Sequence, residues 1–98
     1  MTENELDSRL DHVANELLLH VRNDRRCNDM AYTITKLYRE GYYGEWDALR
    51  CARHIVESLW GWIDFAGIGE SDIVAAHPAE SRERAARLLI DSGALDFD

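Results

Sequence analysis

One proline and six glycines in 98 residues leave the chain few places where a helix must stop,. Two cysteines, Cys27 and Cys51, are too few for a disulfide framework,. No glycine-rich phosphate loop, CxxC pair or GxSxG elbow occurs, so the common signatures of nucleotide, redox and serine-hydrolase chemistry are missing,. No apolar run approaches the roughly 18 residues of a membrane span, and no membrane partner is expected. The opening residues lack a basic stretch followed by an apolar one. A cytoplasmic, reducing setting is therefore expected. No alternating apolar and polar run marks a strand.

Positive charge is also scarce. Nineteen acids face eleven bases, for a net charge of −8. Such a chain repels nucleic-acid phosphate unless its bases cluster, so direct nucleic-acid binding is disfavoured and a partner with a basic surface is favoured. Arg82, Arg84 and Arg87 share the last predicted helix and Arg25–Arg26 sit in the first predicted connection. Glu80 and Glu83 interleave with the former, which points to ion pairing along a helix surface rather than to a groove-reading helix.

Helical periodicity is abundant. The pattern predicts an all-α fold: a single domain over residues 1–98, a bundle of four to five helices around a central helix at about 45–66,. In that stretch Ala48, Leu49, Ala52, Ile55, Val56, Leu59, Trp60, Trp62 and Ile63 fall within an arc of roughly 160°. Asp47, Arg50, Cys51, Arg53, His54, Glu57, Ser58 and Asp64 take the opposite arc, and Trp46 and Phe65 lie outside the apolar one. Gly61 is expected to mark a slight kink or a close backbone approach. A first helix is predicted over about Glu3–Arg22, with Thr2 and Glu5 as a capping box. A polar connection, Asn23–Asn28, leads to a short second helix over about Met30–Glu40, capped by Asn28 or Asp29 and ended by Gly41. Gly67 and Gly69 are expected to end the central helix. Ser71, as an N-cap, starts one or two turns, and a last helix runs over about Pro78–Asp91. Whether those two are one helix is left open. The tail carries Leu95 and Phe97, which can tuck onto the body.

Three side-chain sets have the residue types of chemistry. His12, Glu16 and His20 share one helix face, and His and Glu at that spacing are metal-ligand types. Without an HExxH signature an ordinary polar face is the stronger reading. Asp47, Cys51, His54 and Ser58 lie within about 60° on the side away from the core. Cysteine beside histidine is the pattern of an activated nucleophile or of a zinc site that Cys27 could join, yet a single helix supplies no oxyanion hole or cleft. No catalytic residues, metal or cofactor are therefore expected, and the chain is not read as an enzyme.

The remaining chemistry is recognition. Leu19, Tyr32, Tyr42, Tyr43 and Trp46 fall off the predicted core, and Asp47 and His54 lie beside them in sequence or on the outer face. Acids next to exposed aromatics suit a basic protein partner. The expected role is thus a small acidic helical protein that binds another macromolecule, in its sharpest form a phage- or bacterium-encoded inhibitor of a nucleic-acid-binding complex. The alternatives are a self-associating module such as a homodimer, a Cys/His metal protein, or a DNA-binding helical domain.

Overall fold

A computed structural model describes all 98 residues. It is all-helical: α1 Glu3–Asn23, α2 Arg25–Arg39, α3 Ala48–Leu59, a 3₁₀ turn Trp60–Trp62, α4 Ser71–Ala76 and α5 Pro78–Asp91. No helix is long and apolar enough to cross a membrane.

α1 starts where Thr2, in extended backbone, accepts the Glu5 N–H at its Oγ1 (3.2 Å). Leu10, Val13, Ala14, Leu17, Leu18 and Val21 are its buried residues, spaced three and four apart so that they share one face,. The helix ends at Asp24, and so does the connection. Asp24 alone joins α1 to α2, donating its N–H to the His20 carbonyl (2.9 Å) and accepting the Cys27 N–H at its carboxylate (3.1 Å). The six-residue connection expected over Asn23–Asn28 is therefore corrected to a single residue, and the cap is Asp24 rather than Asn28 or Asp29. The polar run is the outer face of α2, with Cys27 buried beneath it. Asn28 instead donates its side-chain amide to the Val21 carbonyl (2.8 Å), closing the corner from the other side. Arg25 and Arg26 occupy the first turn of α2, where the helix dipole opposes each cation by about 0.3–1 kcal/mol,.

α2 stops as the sequence predicts. The Gly41 N–H bonds the Tyr38 carbonyl (3.1 Å) and the Tyr42 N–H the Leu37 carbonyl (3.0 Å), a Schellman end,. It requires left-handed backbone at Gly41, which has φ +82°.

The third helix is shorter than expected. Asp47 accepts the Arg50 N–H at its carboxylate (2.8 Å), so α3 starts after Trp46, not at Glu45. It gives way to the 3₁₀ turn at Trp60 rather than running to Ala66. Gly61 lies in that turn, and a Cβ there would meet nothing, so no backbone crowds it. Gly67 and Gly69 lie in the turns beyond rather than at the end of α3. The change of helical phase turns Trp60 and Trp62 half out of the core and brings Phe65 in, against Trp60 (ring centroids 4.5 Å). Cys51 is a further correction. It lies about 20° outside the predicted apolar arc, and it is fully buried.

α4 and α5 are two helices, separated by His77 at φ −132°, ψ 59°. Pro78 takes the first position of α5, where its missing N–H is harmless,. Ser71 is the first residue of α4, and the cap position before it belongs to Glu70.

α1 and α3 each pack on both α2 and α5, so these four helices enclose the core and α3 shares its central role with α1. Alanines at 31, 52, 85 and 86, all buried, let the helices approach closely between Leu17, Val21, Ile55, Val56, Leu59 and Leu89,. The tail does tuck in: Leu95 is buried, and Phe97 meets Tyr38 edge-on (6.3 Å).

Arginines tie the helices together from outside. Arg9 of α1 donates to Glu70 (2.9 Å), to both oxygens of Asp72 (2.9 and 2.6 Å) and to the Gly69 carbonyl (3.1 Å). Arg84 of α5 reaches Asp11 (2.7 Å) and Asp7 (2.9 Å) of α1. Arg53 of α3 grips Glu83 of α5 with two bonds (2.6 and 2.9 Å).

Candidate functional site

The Schellman glycine sends the chain out of α2 with Tyr42 and Tyr43 side by side, and a second left-handed glycine, Gly44 (φ +69°), returns it toward Trp46 and the Asp47 cap. This short path folds Tyr43 onto Trp46. The rings stack with centroids 4.4 Å apart and planes 7° from parallel. Tyr42 stands edge-on to Tyr43 (5.2 Å, 88°). His54, two turns into α3, sets its ring edge-to-face against both Tyr43 (5.6 Å) and Trp46 (5.5 Å). The Arg50 guanidinium lies over the Trp46 ring, 4.7 Å from its centre. Beside this platform Trp46, Arg50, Arg53, His54 and Glu57 line a groove of about 360 Å³.

Tyr43 and Trp46 are half-buried in the stack, whereas Tyr42 is 72% exposed. Burial, then the neighbouring Cys51 and Tyr42, holds the Tyr43 hydroxyl above the usual tyrosine range. The arrangement offers flat apolar faces, an imidazole and a guanidinium at fixed positions. Such groups can make stacking, cation–π and hydrogen-bond contacts.

The structure brings together Tyr42, Tyr43, Trp46 and His54, with Asp47 as the cap that fixes the start of α3. It leaves Leu19 and Tyr32 apart. Leu19 is 50% exposed, in a separate groove of about 270 Å³ with Glu16, His20, Asn23 and Asp24. Tyr32 is 54% exposed on α2 and pairs with no other ring. Arg50 and Arg53 were not singled out by the sequence reading, although Arg50 lies four residues after Trp46.

The Asp47–Cys51–His54–Ser58 face does not form as expected. The Cys51 thiol is pushed up to about 11 by burial, far from a reactive thiolate,. Asp47 is occupied by the Arg50 N–H, and the Ser58 hydroxyl donates to the His54 carbonyl (2.8 Å). Cys27 is buried in the core, its thiol also raised by burial. Of the first-helix set, His20 and Glu16 stay together (Nδ1–Oε1 3.6 Å) and His12 departs. His20 Nδ1 lies 3.0 Å from the Glu16 carbonyl, while His12 Nδ1 turns toward the buried Glu70 carboxylate at 3.5 Å. No three His, Cys, Asp or Glu side chains meet in a metal-holding arrangement. Of the last-helix arginines, Arg84 is committed to Asp7 and Asp11 and Arg87 to Glu83 (3.2 Å).

No family model matches the chain, and no curated protein or solved structure does.

Proposed function

We propose that this protein works by binding another macromolecule, and that the Tyr42–Tyr43–Trp46–His54 platform is where it does so. The observation that carries the reading is the stacked Tyr43–Trp46 pair with Tyr42 exposed beside it. A chain of this size has reason to put every large ring into its core. Here Tyr42 stays exposed beside Tyr43 and Trp46, which are only half-buried, on a loop held at one end by a Schellman turn and at the other by an N-cap. Ordered aromatics lose little entropy on binding and supply the area that interface hot spots use.

The favoured partner is a protein with a basic surface, because the chain carries −8 and its surplus carboxylates would steer such a partner in,. Inhibition of a nucleic-acid-binding complex is the specific form of this role that the charge supports, since a groove that holds phosphate also attracts carboxylates. Capture of partners by the wild-type chain, repeated at rising salt, tests the reading. Binding that weakens steeply with salt and falls with Tyr42→Ala supports it. Salt-insensitive binding to a neutral partner contradicts the electrostatic part.

Self-association through the same face is the second reading, favoured by the exposure of Tyr42. Light scattering at rising concentration separates the two. A strict monomer excludes the second, and a dimer abolished by Tyr42→Ala excludes the first at this face.

A further inference from the structure

A second surface stands apart from the platform, beyond the other end of α3. The Arg26 guanidinium lies 4.3 Å over the Trp62 ring. With Arg25, Asp29, Met30 and Thr33 these residues line a groove of about 570 Å³, larger than the one beside Trp46. Trp62 and Met30 are half-buried and give it an apolar wall.

Two adjacent arginines line it, in a chain of net charge −8. Acids outnumber bases nineteen to eleven, and Arg9, Arg39, Arg53, Arg84 and Arg87 all hold carboxylates at 2.6–3.2 Å. Arg26 holds none. Arg25 is 94% exposed, and its one carboxylate neighbour, Asp29, is 4.0 Å away. Both arginines stand in the first turn of α2, where the helix dipole repels cations and an acid would serve folding better,. The Trp62 contact offsets part of that cost for Arg26 and holds its guanidinium over an apolar wall,.

We propose that this groove binds a short acidic segment of a partner protein, one in which carboxylates flank a large apolar side chain. The carboxylates would meet Arg25 and Arg26 as bidentate partners, and the apolar side chain would lie against Trp62 and Met30. A nucleic-acid strand fits less well. It brings a long run of phosphates that a chain of −8 repels, whereas a short segment confines its charge to the arginine pair,.

The test is a fluorescence-anisotropy titration of the full chain with a labelled, end-capped peptide in which leucine is flanked by glutamates. The same peptide with glutamines and a labelled oligothymidylate run in parallel. Saturable binding of the glutamate peptide is expected, weakened about tenfold or more, or roughly 1.4 kcal/mol, by Arg26→Glu and by Arg25→Glu. Both positions are exposed, so these variants keep the fold, which circular dichroism checks. Trp62→Leu should weaken binding and Trp46→Phe should not. Equal binding of the glutamine peptide, tighter binding of oligothymidylate, insensitivity to Arg26→Glu, or no saturable binding would each overturn the proposal. Loss of binding with Trp46→Phe would overturn it too, by placing the peptide on the platform.

Discussion

Tyr43 and Trp46 stack almost in parallel at 4.4 Å, although the turn that joins them contains a left-handed glycine and neither residue lies in a helix. The contact is made by the loop's own geometry, and His54 and Arg50 hold it from α3. The stack is thus built entirely from contacts within this chain.

Breaking that stack should be measurable without a partner. Tyr43→Ala and Trp46→Ala should couple by about 0.5–1.5 kcal/mol in a double-mutant cycle read by urea unfolding. Additive effects would mean that the rings do not support each other.

Asp47 has a structural duty that a charge-based reading would misassign. Asp47→Ala should cost about 1 kcal/mol of stability through the lost cap on α3, while Asp47→Ser should retain most of it,. Urea midpoints for the two variants decide between a cap and a charge.

Acid should loosen the helix ties. Hydrogen bonds from Arg9 hold the Asp72 carboxyl below its ordinary range, and those from Arg53 do the same for Glu83. Groups depressed in the folded state contribute stability that is present above their unfolded values, about 4, and is lost as pH falls through the folded ones. Asp72→Asn should therefore flatten the acid limb of a stability-against-pH curve. An unchanged limb would show that the Arg9 link carries no such linkage.

At alkaline pH the buried thiols act in the opposite sense. Burial pushes Cys51 up to about 11. A group raised in the folded state contributes stability that is full below its unfolded value, about 8.5, and is lost as pH rises toward the folded one. Cys51→Ala should reduce that alkaline decline, leaving the part owed to Cys27, at a modest cost in packing. Native protein should also resist thiol alkylation at neutral pH until it is unfolded.

The all-helical class, the Gly41 stop and the bounds of α5 were legible because each rests on local chemistry: periodicity, a left-handed glycine, a proline at the first turn. Errors arose where one residue had two readings. Asn23–Asn28 is polar enough for a loop, yet Asp24 caps a helix whose outer face is equally polar. Cys51 sits at the edge of an arc, and only the packing of α3 against both neighbours decides that it is buried. The platform was legible as a set of aromatic residues but not as a stack, because stacking depends on a loop path. Nothing in the sequence links Arg26 to Trp62, which tertiary packing alone brings together.

The most direct test of the central claim is capture from lysate of the cells that make this protein, comparing wild type with Tyr42→Ala and with Trp46→Leu at matched fold content. The account predicts a protein retained by the wild type and lost or sharply reduced with both variants, and released as salt rises. The same protein recovered in equal yield by all three chains would contradict it.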